Sequence, residues 1–376
     1  MWRCWSFFLL AIIIAYPEAV HAVNRNKRAR EDGCLETVGA SQRAVGSVQV
    51  DPATRLVTTR KSRLKSVQLL PPRVPTRRRS LVRNNTEGLV PRIASTDTGI
   101  RILSNYKRVA DIGSGSFGRV HVASDLRNHG RLVAIKRQDT STASRRMVAF
   151  NEFHLLQRLR GCACIVQIFK GLTTKCRLYL VMEYLSGGTL SHRIRSQDGI
   201  SERDAKRYLH DIVCGVDACH SRDIILNDIK PDNMAFDGEG NLKLIDFGVA
   251  EYSPHRKMSK SMTTANYVSP EQFELVDQRV QMKEFDGAAA DVWAVGATLI
   301  EMLTGHCLFL GRGDEDVIRN VLNLHINVRC LAGYRHLSQG ARLLVERMLE
   351  QDPKMRPTIR EIALDEWLQP ESNANA

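Results

Sequence analysis

The chain has 376 residues, more than one hydrophobic core usually serves, and its 43% hydrophobic and 25% charged residues fit a globular protein of two lobes or domains with an appended segment. The formal charge is +13, but Val23 to Arg92 alone carry 16 Lys or Arg against 5 Asp or Glu, a net of +11. The basicity therefore belongs to an extension. No aromatic residue interleaves its arginines, so the composition argues against a nucleic-acid platform.

In chain order, residues 1–22 read as a secretory signal peptide. Arg3 precedes an apolar run from Phe7 to Ala15, and Val20-His21-Ala22 offers apolar or small side chains where a signal peptidase inspects the chain. The run falls short of the ~20 residues a spanning helix needs, and Pro17-Glu18 closes it. The mature chain is expected to start near Val23. Cys4 would leave with the signal, and the other eight of the nine cysteines could pair in an oxidising compartment, with the connectivity open. Cys162-Ala163-Cys164 has no second cysteine pair at zinc spacing, so buried thiols or one or two disulfides are expected there rather than a metal.

Residues 23–100 hold Arg and Lys runs, Pro71-Pro72 and Pro75, and no sustained apolar period, so a disordered or propeptide extension is expected. Within it Leu56, Arg60, Arg63, Leu64, Val67 and Leu70 alternate apolar and basic positions at near-helical spacing, which suits contact with an anionic membrane surface. Arg77-Arg78-Arg79 reads as a processing site, and Asn84-Asn85-Thr86 as a glycosylation sequon if it enters the lumen. From Tyr106 the texture turns to short β-branched runs, then a helical run from Ser144 to Leu159 and strand runs at Ile165 to Phe169 and Leu178 to Tyr184. Helices dominate after Ser201, which with Asp204 approximates a capping box and opens a helix carrying Tyr208, Leu209, Ile212, Val213 and Val216. An α+β architecture follows: a small β-rich lobe over 101–185 and a larger helical lobe over 186–370.

The chemistry sits in motifs along that body. Gly113-Ser114-Gly115-Ser116-Phe117-Gly118 lies between strand-like runs, and bare backbone at that spacing lets N–H groups approach phosphates. A dinucleotide fold would need a helix next, whereas Arg119-Val120-His121-Val122 continues as strand. Val133-Ala134-Ile135-Lys136 then places one lysine among apolar neighbours, with Glu152 in the following helix as its carboxylate partner. Asp228-Ile229-Lys230-Pro231-Asp232-Asn233 and Asp246-Phe247-Gly248 follow.

Five motifs in this order resemble the protein-kinase superfamily, serine/threonine type, over residues 106 to about 368, and the resemblance implies the bilobal kinase fold and MgATP as phosphate donor. It assigns Asp228 to the substrate hydroxyl proton with Lys230 beside it, Asn233 and Asp246 to Mg²⁺, and the Lys136–Glu152 pair to the α and β phosphates. Ile112, Gly113, Gly115, Gly118, Val120 and Ala134 would enclose the nucleotide, and backbone groups of Glu183 and Leu185, after the gatekeeper Met182, would bond adenine. Ser269-Pro270-Glu271, Asp291-Val292-Trp293 with Gly296, and Arg356 as partner of Glu271 take structural roles. Protein substrates bearing Ser or Thr are the implied partners.

Where most of the family has His-Arg before the catalytic aspartate, this chain has Leu226-Asn227. Without that arginine the usual electrostatic need for a phosphate on the activation loop is weakened, so activity with little dependence on Ser259, Ser261, Thr263 or Thr264 is expected. The competing expectation is a pseudokinase that binds nucleotide and partners without transfer. Phe273 to Ala290 reads as an inserted surface loop. The signal, the arginine-rich leader and the kinase body together resemble the secreted rhoptry kinases of apicomplexan parasites, which implies a secreted effector.

Overall fold

The structure is a computed structural model that describes residues 93–94, 103–115, 118–259, 265–274, 284–308 and 333–369. The expected signal peptide, the membrane-contact stretch, the processing site, the sequon, the loop tip Ser116-Phe117, and Ser261, Thr263 and Thr264 lie outside the described residues.

The β-rich lobe is one sheet. Its strands are β1 (Ile93–Ala94), β2 (Tyr106–Gly115), β3 (Gly118–Asp125), β4 (Arg131–Asp139), β5 (Ile168–Thr174) and β6 (Arg177–Glu183), in the order β1-β5-β6-β4-β3-β2. All neighbours are antiparallel except β1, which runs parallel to β5. Strand β1 falls inside the stretch expected to be extension. Two residues carry no period, and their pairing with β5 is a contact that the sequence does not announce.

The two-residue period of β4 sorts its side chains. Val133 and Ile135 join Ala123, Leu172 and Val181 in a small apolar cluster on one face, so Ala134, Lys136 and Gln138 share the other face. Against that lobe lies α1 (Ala143–Arg158), capped by the Thr142 hydroxyl accepting from the Arg145 N–H at 3.3 Å. It buries Ala149, Glu152, Phe153, Leu155 and Leu156, a stripe at helical spacing in which one carboxylate stands among hydrocarbons. A Cβ on Gly171 of β5 would come within 2.6 Å of the Phe153 ring, so glycine there sets how closely the helix approaches.

The strand expected over Ile165 to Phe169 begins at Ile168 instead. Ile165 bridges to Leu244, and the Val166 N–H bonds the Leu244 carbonyl at 3.0 Å, so these residues stitch the sheet lobe to the helical one. A short apolar run has no period that could distinguish the two fates.

The helical lobe holds α2 (Leu190–Gln197), α3 (Glu202–His220), the short strands β7 (Ile224–Ile225), β8 (Met234–Phe236), β9 (Leu242–Leu244), β10 (Glu251–Tyr252) and β11 (Lys257–Met258), then α4 (Pro270–Glu274), β12 (Phe285–Asp286), α5 (Gly287–Thr304), α6 (Gln339–Met348) and α7 (Ile359–Ala363). Ser201 caps α3 by accepting from the Asp204 N–H at 3.2 Å, and the Asp204 carboxylate takes the Ser201 hydroxyl. Helix α5 is buried around nearly its whole circumference and forms the centre of the lobe. A Cβ on Gly296 would meet Met348 Cβ at 2.9 Å, so this glycine lets α6 lie against α5. The Arg356 guanidinium, also buried, forks onto both oxygens of Glu271 at 2.6 and 2.7 Å, the pair the sequence suggested.

The expected inserted loop is only partly a loop. Residues 275–283 lie outside the described part, but Phe285 is buried with Ile225 and Met258, and Gly287 to Ala290 form the first turn of α5 behind an Asp286 cap. Among the described residues Cys162, Cys164, Cys176, Cys214, Cys219 and Cys307 are free thiols.

Candidate active site

Strand β4, helix α1 and the segment after β9 converge on one ammonium group. Lys136 Nζ donates to Glu152 Oε1 at 2.7 Å and to Asp246 Oδ1 at 2.8 Å. Burial opposes the charge on Lys136, but the carboxylates of Asp246 and Glu152 outweigh it and raise the ammonium above its ordinary value. Burial likewise pushes Glu152 up, with Lys136 pulling the other way and Asp246 adding to the rise. For Asp246, burial is overcome by Lys136, the Gly248 N–H at 3.1 Å and Lys230, and its carboxyl is held below the usual range. A buried cation between two carboxylates is compensated charge that stays fixed.

The second cluster comes from the loop between β7 and β8. Lys230 Nζ lies 2.8 Å from Asp228 Oδ2 and 3.0 Å from Oδ1, and Asn233 Nδ2 donates to Asp228 Oδ2 and to its backbone carbonyl, both at 2.8 Å. The Asn233 carbonyl in turn accepts the Ile245 N–H at 3.0 Å, which joins this loop to the residue before Asp246. The loop is anchored from below by Asp291 of α5. Its carboxylate accepts the N–H groups of Leu226 and Asn227 and faces His220 Nε2, each at 2.9 Å. Asn227 has φ 63, a left-handed conformation that asparagine tolerates better than most side chains.

The cleft roof comes from β2 and β3. Val120 pairs with Lys136, Val122 with Ala134, Ala134 with Met182, and Gly115 with Gly118 across the hairpin. A Cβ on Gly113 would meet nothing within 4 Å, so packing does not require glycine at this position. Gly118 is different. It has φ +140, and a Cβ there would sit 2.3 Å from the Arg137 carbonyl oxygen. The Gly118→Ala variant is expected to lose about 1–3 kcal/mol of stability, read as a lower denaturant midpoint at unchanged slope. Ile112 is 51% exposed on the roof. At the back of the cleft the Glu183 N–H is spent on the Gln167 carbonyl at 2.9 Å, so contact of Glu183 with a base edge falls to its carbonyl. Leu185 is half-buried against the main core.

A model of the protein kinase domain matches residues 106–368. The chain belongs to the protein kinase domain family. Among curated relatives, CBL-interacting serine/threonine-protein kinase 8 of Arabidopsis thaliana is 31% identical over 71% of this chain and 58% of its own length. CBL-interacting protein kinase 9 of Oryza sativa subsp. japonica is 32% identical over 70% of this chain and 57% of its own length. The kinase chain thus spans a little over half the length of these two relatives.

Within the kinase domain, several contacts had escaped the sequence reading. Gln138 Nε2 donates to Glu152 Oε2 at 2.6 Å. Lys243 Nζ reaches the Glu183 carboxylate at 2.8 Å, which also accepts the Gln167 N–H at 2.7 Å and so fixes the crossing between the lobes. Asn151 of α1 donates to the Ala250 carbonyl at 2.8 Å, and Asn227 Nδ2 to the Val249 carbonyl at 3.4 Å. Gln167 and Lys243 are polar residues between apolar neighbours, whereas Gln138 stands between Arg137 and Asp139, so its neighbours point to a solvated face.

Proposed function

We propose that the chain is a protein serine/threonine kinase that moves the γ-phosphate of MgATP to protein hydroxyls. The observation that carries this reading is Lys136 held between Glu152 and Asp246, with Asp228 gripped by Lys230 and Asn233 one loop away. The residues fit the nucleotide and its ion. Asn233 turns its amide nitrogen to Asp228, so its Oδ1 and the Asp246 carboxylate supply the hard oxygens a magnesium ion takes. When bound, the ion neutralises charge on the β and γ phosphates. Lys136 would hold the α and β phosphates, the glycines of the β2–β3 hairpin would cover them, and Asp228 would orient the substrate hydroxyl and receive its proton. Purified protein with labelled ATP and peptides bearing Ser, Thr or Tyr tests this: label on Ser or Thr is expected, and none on any peptide would overturn it.

The activation segment supports a second element of the proposal, activity without a phosphate on that segment. Asn227 and Asn151 hold the carbonyls of Val249 and Ala250 from the catalytic loop and from α1. Strand β10 pairs with β7, and β11 with β12. Neutral contacts thus do what an arginine–phosphate pair would do. Phosphatase treatment is expected to leave the transfer rate within about twofold, and Asn227→Ala to lower it by roughly 3- to 10-fold, the worth of about one hydrogen bond. A rate that collapses after phosphatase treatment would refute this element.

A secretory route is also proposed, on Phe7 to Ala15 and Val20-His21-Ala22. Sequencing the mature N-terminus is expected to start near Val23; an intact Met1 on soluble protein would contradict it. The likeness to secreted rhoptry kinases, and contact of the basic segment with a membrane surface, rest on that same leader and its arginines.

A further inference from the structure

Glu152 has no exposure, so each of its carboxylate oxygens must find a donor within the protein. Lys136 serves Oε1 and Gln138 serves Oε2, at 2.7 and 2.6 Å. The two donors stand two residues apart on one face of β4, and the carboxylate sits between them. Gln138 is itself 3% exposed, and its Oε1 has no hydrogen-bond partner among the described residues. That orphan oxygen makes an amide a poor choice for filling space, since an apolar side chain of the same size would bury with no unmet acceptor. What an amide supplies and leucine cannot is the N–H on Oε2.

The geometry points to Gln138 as a positioning residue: it pins the Glu152 carboxylate through Oε2, so that Oε1 holds Lys136 Nζ where it also meets Asp246. Lys136 alone could follow either oxygen as the carboxylate turned about its last bond. With Oε2 tied to β4, the carboxylate plane is fixed, α1 is tied to the sheet by two bonds in place of one, and the ammonium has one place to stand. This deepens the phosphate-transfer reading and rests on it for its kinetic readout.

The test is a double-mutant cycle on the full chain. Gln138→Met keeps the length of the side chain and Gln138→Leu its bulk, and both remove the donor. Each is made alone and in a Glu152→Gln background, and melting temperature, kcat, the KM for ATP and the dissociation constant for MgATP are measured. Alone, each variant is expected to lower kcat by about 10- to 100-fold, the weight of one hydrogen bond to a buried charge, with the KM for ATP much less affected. In the Glu152→Gln background the further loss is expected to stay under about threefold, because the group through which Gln138 acts is already neutral. Two results would overturn the inference: folded single variants with the kcat of the parent, or the same loss in both backgrounds, as a purely structural role requires. Should one variant fail to fold, the cycle is read on the other. If the parent binds MgATP but transfers no phosphate, the kinase reading falls; the cycle is then read in MgATP affinity, where coupling between positions 138 and 152 supports the positioning role and its absence refutes it.

Discussion

The Asp228→Asn variant is expected to transfer phosphate about 10²- to 10⁴-fold more slowly than the parent while binding MgATP as tightly, as measured by single-turnover transfer and by nucleotide titration. The reason lies in what surrounds this carboxylate. Lys230 and Asn233 hold both of its oxygens, and Asp291 fixes the two backbone N–H groups just before it. An asparagine fits the same space and keeps the contact of its carbonyl oxygen with Asn233, but it cannot take a proton. The loss should therefore appear in kcat, with the fold and the nucleotide site intact. Equal incorporation by variant and parent would mean that Asp228 is not the group that receives the proton, and would favour a binding protein over an enzyme.

The second large effect is on stability. Arg356→Ala or Glu271→Ala, made singly, is expected to cost about 3–5 kcal/mol and to lower the melting temperature by roughly 6–20 °C. Both side chains are buried, the guanidinium makes a two-pronged contact with the carboxylate, and it also donates to the carbonyls of Glu350, Ala289 and Gln351. Removing either partner strands a charge with no water to take it. The double replacement is expected to cost clearly less than the sum of the two singles, because it removes the stranded charge as well. Additive losses in calorimetry would show that the pair does not act as a unit.

Lys136, Glu152, Asp228, Asn233 and Asp246 were legible because each sits in a short motif and the motifs come in a fixed order, so every one narrows the reading of the next. The structure pairs Lys136 with Glu152 as expected and adds Asp246 to them, and it sets Asn233 beside Asp228 and Lys230. Gln138 and Asn151 were not legible. Each is one polar residue among several in its strand or helix, and nothing along the chain says which of them meets water and which a buried partner. Helix α1 shows the same limit: its ends were readable to within about two residues, but whether Glu152 was a solvated charge or the most buried carboxylate in the site depended on what packs against that face.

The departure at Leu226-Asn227 divides in the same way. The sequence by itself determined that no arginine stands before Asp228 and that a phosphate there would find no cation at that position. Only the tertiary structure decided which contacts the neighbouring residues make. Asn227 takes a left-handed turn and reaches Val249, Asn151 reaches Ala250, and Phe285, read as surface loop, is a buried residue of a strand paired with Lys257–Met258. Motif chemistry is local in sequence and can be read there. The contacts that hold the motifs in place join residues from 14 positions apart, Gln138 and Glu152, to 110, Lys136 and Asp246, and only the packing of the folded chain brings such residues into reach.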